Sequence, residues 1–233
     1  MEPYLQQFRI RVHEGLFLKD PDSTPLGRTI VQESIELIEE LGFEGFTFKK
    51  LGTRIGSPES TIYRYFENKH KLLVYLISWY WAWQEYRMMF ATANIEDASL
   101  KLHKALLSLT EAVQQDSDIQ YINEEKLYQI VVAESSKAYF TKDVDADNKE
   151  GYFMGLKRLV RRVADMVRDV NPDYPYPSAL ITAVVEGAHQ QRFFAQHLPS
   201  LSEAGKKAET LTDFFVQLVF RTITPQGEDF SRE

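Results

Sequence analysis

From Arg28 onward the apolar residues recur at helical rather than strand spacing. Ile30, Ile35, Leu37, Ile38 and Leu41 fall near one stripe, acids occupy the opposite face, and Gly42 is placed to end the run. Thr24 or Thr29 can cap its start. Thr47 then caps a short helix that carries Leu51 and Ile55 and ends at Gly56. At Ser57-Pro58-Glu59 the side chains suit a third start: Ser caps, Pro takes the first helical position and Glu complements the free N–H groups. That helix is expected to run through Ile62 to Tyr65 or Phe66, and Asn68 to cap a long helix from Lys69 to about Phe90. Breaks at Asn94, Asp116, Thr141, Asn171 and Pro199 leave room for five more helices, about 98–115, 124–139, 147–169, 178–197 and 203–223. The pattern predicts an all-α protein of about nine helices, with no internal repeat. Residues 1–26 read as an arm: Phe8 to His13 alternate as a strand would, Pro21 and Pro25 mark a loop, and Arg9 and Arg11 make the segment locally basic. Residues 224–233 read as a tail.

The three short helices make a physical unit. Leu51, Ile55, Ile62 and Phe66 can share one small core beneath two helices joined by a glycine turn, which leaves Glu59, Ser60, Thr61, Tyr63 and Arg64 largely outside. A rigid helix with exposed polar side chains suits a major groove about 12 Å wide. Charge agrees: between Thr47 and Val74 six basic residues face two acids, so an overall charge of -7 conceals a cationic segment on an acidic remainder.

The runs Gly42-Phe-Glu-Gly-Phe-Thr and Thr61-Ile-Tyr-Arg-Tyr-Phe-Glu-Asn-Lys-His-Lys-Leu-Leu resemble the signature of the TetR family of bacterial transcriptional regulators. The resemblance covers about residues 28–75 and implies a DNA-binding head at 27–72, a ligand-binding and dimerising body at 73–223, and no enzymatic activity. By the same resemblance Thr47, Tyr63, Tyr65 and Lys69 are expected to hold phosphates, and Lys49, Glu59, Ser60 and Thr61 to face base edges, with Arg64 beside them. Two departures stand out: the turn reads Ile55-Gly56-Ser57-Pro58, and Ser60 stands where the family commonly has Gly.

In the body, Leu72, Leu76, Trp79, Trp83, Tyr86 and Phe90 stack along one helical face. Rigid rings with one polar atom each make good walls for a small apolar or aromatic ligand. The candidate pocket is Trp79, Trp83, Tyr86, His103, Tyr128 and His189; core packing is the plainer alternative for the same rings. Small residues along 178–197 and an apolar stripe along 203–223 suggest an isologous homodimer through Ala183, Gly187, Gln191, Phe214, Phe215 and Leu218. The partners expected are therefore a double-stranded DNA operator, a small ligand and a second copy of the chain, with control by a protein partner instead of a ligand as the alternative.

Composition excludes several classes. Without cysteine there is no disulfide or thiolate chemistry, and no run approaches a membrane span of roughly 18 apolar residues. Absence of a signal-peptide pattern at the N-terminus reads as cytoplasmic. No catalytic triad, phosphate loop or nucleotide fingerprint is visible, and no cofactor or metal is expected. Glu67-x-x-His70 and Glu186-x-x-His189 match the spacing of di-iron helical bundles, but Glu67 and His70 fall within the head and no further inward pair of Glu accompanies them.

Overall fold

The computed structural model describes residues 10–115, 121–203 and 208–224, and among them every regular element is helical. The α-helices are α1 Pro25–Gly45, α2 Phe48–Arg54, α3 Glu59–Ile62, α4 Lys69–Ala91, α5 Ala98–Thr110, α6 Glu124–Glu134, α7 Ser136–Tyr139, α8 Val144–Glu150, α9 Met154–Val170, α10 Pro177–His197 and α11 Ala208–Ile223. Eleven replace the nine read from sequence because two long predictions are each divided: 124–139 turns at Ser135 between α6 and α7, and 147–169 is interrupted by Gly151, whose φ of +90° ends α8. α5 also stops at Thr110, short of 115.

The N-terminal segment departs from its expected form. Residues 10–13 form no strand, and 3-10 turns follow at Glu14–Leu16 and Pro21–Ser23. Leu16 is buried, the Leu18 amide donates to the Tyr65 carbonyl at 2.7 Å, and Phe17 packs edge-on against Tyr75. A chain so occupied is a packed strap rather than a free arm; Arg11 is exposed, and Arg9 lies outside the described residues, as does the tail beyond Thr224. Thr24 caps α1 by accepting from the Gly27 amide, so the helix starts three residues before Arg28.

Contacts divide the described residues into two compact units: the chain up to Trp83 with Val113–Leu156, and Gln84–Ala112 with the residues from Lys157 onward. The first therefore holds not only residues 27–72 but also most of α4 and all of α6, α7 and α8. Its interior is rich in rings and large aliphatics, among them Phe46, Phe66, Tyr75, Trp79, Tyr80 and Trp83. In the second, α5, α10 and α11 pack on one another. There Gly187 meets the Phe215 ring so closely that a Cβ would lie 3.1 Å from it. No helix among the described residues is long and apolar enough to cross a membrane.

Candidate nucleic-acid interface

The head is built on a small buried core. Ile30, Ile35 and Ile38 of α1 and Phe46, Phe48, Leu51, Ile62 and Phe66 are all nearly or wholly excluded from solvent. Thr47 caps α2 by accepting from the Lys50 amide at 3.2 Å, and Gly56, with φ of +64°, turns the chain toward α3. Gly52 permits the close crossing of α2 over that turn: a Cβ there would sit 2.6 Å from the Ser57 carbonyl oxygen. The sequence reading missed this residue; a glycine inside a helix, costing about 1 kcal/mol relative to Ala, was the available signal.

The start of α3 moves by one residue from its predicted position. Pro58 itself is the cap, with extended ψ of 143° and no side-chain cap bond, and Ser57 instead donates its amide to the Gly52 carbonyl at 2.9 Å. After Ile62 the chain closes in tight turns, Tyr65 and Phe66 amides both donating to the Ile62 carbonyl. Outward from this short helix stand Ser60, Tyr63 and Arg64, with Glu59 and Thr61 half-buried; Thr47 and Lys49 are exposed at the start of α2. Tyr63 is 47 % exposed and rests edge-on against Phe48, which fixes the ring without covering it.

Two expected phosphate ligands are differently engaged. Tyr65 is buried, its hydroxyl within 2.9 Å of Thr24 Oγ1, so it ties α1 to the end of the α3 turn. The Lys69 amine donates to the Phe43 carbonyl at 3.2 Å and to that of Phe46 at 3.5 Å and lies over the Phe43 ring, because the fold brings the open backbone before α2 directly under it. Other cations of the basic segment are also committed. Arg54 pairs with Glu33 and Glu40 of α1 at 2.7 Å each, Lys50 donates to the Gly45 carbonyl, and Lys71 pairs with Asp147 at 3.0 Å. Among the described residues of this segment, Lys49 and Arg64 are the cations that carry no such bond. The local excess of charge is thus real, but most of it is spent holding the head together.

Residues 30–76 match the family model of bacterial regulatory proteins, tetR family. The head is a TetR-family DNA-binding domain. No curated protein matches the chain. Among solved structures, the superantigen PfiT aligns over 87 % of this chain and 97 % of its own, with a TM-score of 0.58 and 11 % identity. AibR, in complex with isovaleryl coenzyme A and operator DNA, aligns over 83 % of this chain and 98 % of its own, with a TM-score of 0.54 and 14 % identity. A protein described as a member of the TetR/AcrR family aligns over 84 % of this chain and 99 % of its own, with a TM-score of 0.50 and 19 % identity. At such identities the likeness is one of fold, and the TetR-type head is what ties this chain to transcriptional regulation.

Behind the TetR-type head, the expected pocket residues fall in both units. Trp79, Trp83 and Tyr128 belong to the first; the two indoles are buried and stacked with centroids 6.3 Å apart. Tyr86, His103 and His189 belong to the second, where burial holds His189 neutral, its pKa lowered to about 4 with the Arg192 charge as a further cause. An open concavity on α11 is lined by Phe214, Gln217, Leu218, Arg221 and Thr222, none of which was a pocket expectation. Of the expected dimer residues, Ala183, Phe214 and Leu218 are exposed and Gly187 and Gln191 half-buried. Phe215 is buried against α10 within the subunit, so it belongs to the core instead of an outer face. His70 of the Glu67-x-x-His70 spacing faces Asp147 at 3.3 Å while Glu67 is exposed, so that pair does not converge on a shared site.

Proposed function

We propose that this chain is a ligand-responsive transcriptional repressor that binds an inverted-repeat operator as a homodimer. The observation that carries the reading is the α2–α3 surface: a short helix braced by Gly52 and Phe48, with Ser60, Tyr63 and Arg64 outward and Lys49 beside them, within a TetR-type head. Hydroxyls and free cations position such a helix on phosphates, while Glu59 and Thr61 at its start are the candidates for reading base edges. One head reads one half-site, and the exposed apolar side chains of α11, Phe214 at 52 % and Leu218 at 39 %, supply a face for a second copy.

For the effector, the buried rings along α4 favour a small and largely apolar molecule. Among the described residues the buried Trp79 Nε1 meets no hydrogen-bond partner, and a ligand acceptor would satisfy it. AibR's complex with isovaleryl coenzyme A makes short branched acyl groups the first apolar class to test. Selection of bound fragments from a random DNA pool tests the main reading. Enrichment of an inverted repeat with half-sites about 10 base pairs apart, or a multiple of that, is expected; no enrichment at low salt overturns it. Thermal shifts with isovaleryl coenzyme A and a panel of hydrophobic acids, repeated on Trp79→Phe, test the effector. A rise in Tm that the variant diminishes is expected.

A further inference from the structure

The break at Gly42 creates a problem in the backbone. With φ of +68° and ψ of 162°, Gly42 leaves the helical region although helical turns lie on both sides of it. The next amide, on buried Phe43, loses the acceptor that an unbroken helix would give it four residues earlier. An orphaned buried N–H is costly, so something distant must supply an oxygen.

That oxygen belongs to Glu134, the last residue of α6: its Oε1 accepts from the Phe43 amide at 2.9 Å across 91 residues of chain. Glu134 is itself 8 % exposed. Its other oxygen pairs with Lys137 at 2.7 Å, and Lys137 reaches Glu44 at 3.2 Å. From the other side Lys69, in the first turn of α4, takes the Phe43 carbonyl. The peptide groups flanking Phe43 are therefore gripped at both the N–H and the C=O, just ahead of Thr47 and the reading helices. A carboxylate at a helix C-terminus opposes the helix dipole. Local preference is thus overridden at Glu134, as happens where a side chain serves a distant element. The far end of the helix-turn-helix is held in a similar way, since buried Asp147 of α8 meets both His70 and Lys71.

We infer that Glu134 is a positioning residue for DNA recognition: through the Phe43 amide it sets the angle at which α2 and α3 leave α1. The inference rests on the DNA-binding reading above, but its first readout needs no DNA. In the full-length protein, Glu134→Met, which fills the same space without a carboxylate, should speed hydrogen exchange at the Phe43 amide at least tenfold while amides of α11 keep their rates. Glu134→Gln, which keeps an acceptor oxygen, should restore protection. Affinity for the duplex recovered by random-pool selection should fall about tenfold in Glu134→Met, with the slope of log affinity against log salt unchanged because no phosphate contact is removed. Recovery in Glu134→Gln separates this from general damage. Unaltered exchange at Phe43, unaltered affinity, or failure of Glu134→Gln to rescue would each overturn the inference; should Glu134→Met not fold, Glu134→Ala takes its place with the same criteria. Failure of the unaltered protein to bind any duplex would instead sink the DNA-binding reading, leaving the exchange comparison to decide whether the Phe43 clasp exists.

Discussion

The outer faces of α3 and α11 are both left open within the chain, yet they are chemically opposed. α3 shows Ser60, Tyr63 and Arg64; α11 shows Phe214 and Leu218, with Phe215, Leu211 and Val219 turned inward. Water solvates the first face well, so it can stand bare until a polyanion arrives. The second exposes carbon at a cost of about 25 cal/mol per Å², so covering it is favourable with any well-matched apolar surface. On the proposed reading, the first face suits reversible, salt-sensitive contact and the second suits lasting association.

The comparison can be broken most forcefully from beneath. Phe66 is wholly buried under α3, and Phe66→Ala should remove about 3–5 kcal/mol of stability and abolish DNA binding. A lower midpoint in urea checks this, and an unaltered midpoint would mean that the α3 face does not depend on its core.

The next largest effect lies in the unit that bears α11. His189 is held neutral with its pKa lowered from 6.5 to about 4, chiefly by burial and also by Arg192. The unfolded chain accordingly binds the extra proton first. Stability is full above pH 6.5, falls as pH drops toward 4, and loses about 3 kcal/mol over that window. Urea titrations at several pH values should show this slope in the unaltered protein and its absence in His189→Gln.

Association itself should respond somewhat less. Leu218→Glu places a charge on the exposed apolar face and should weaken self-association by about 2 kcal/mol, roughly thirtyfold, without loss of helix content. Sedimentation measures it, and an unchanged dimer would move the interface elsewhere. Smallest are the effects on α3: Arg64→Ala should lower the salt slope of DNA binding by about 1, and Glu59→Gln should shift base preference by about 1 kcal/mol while leaving that slope intact. If Arg64→Ala instead redirected sequence preference, the division of roles on this face would be reversed.

How far these faces were legible beforehand follows from the range of the forces. Helix starts at Thr47 and Asn68 were visible, with Thr24 one of two candidates for the first, because a cap bonds an amide two or three residues away, and the structure has each of those bonds. The break at Gly42 was visible because glycine takes a positive φ with little strain, but helical turns resume beyond it and α1 ends only at Gly45. Ser57 misled because Pro58, next to it, takes the cap position itself. For Tyr65 and Lys69 the structure adds what the motif leaves open. A motif says that a hydroxyl or an amine is present, but the nearest oxygen is decided by the fold, here Thr24 for one and the Phe43 carbonyl for the other.

The strand-like alternation gives no strand over residues 10–13, where the packing of Leu16 and Phe17 that follows outweighs so short a pattern. The pairs that hold the first unit together left no signature at all: Glu134 and Asp147 are ordinary acids until the chain returns them to Phe43 and His70.

The sequence by itself determined the helical class, the position of the head and the residue types that the head carries, because periodicity, caps and glycine turns act over a few residues. Only the tertiary structure decided which cations stay free, which rings are core and which carboxylate completes a broken helix. Those outcomes depend on burial and on partners dozens of residues away, where hydrogen-bond and ion-pair geometry, not residue identity, selects the contact.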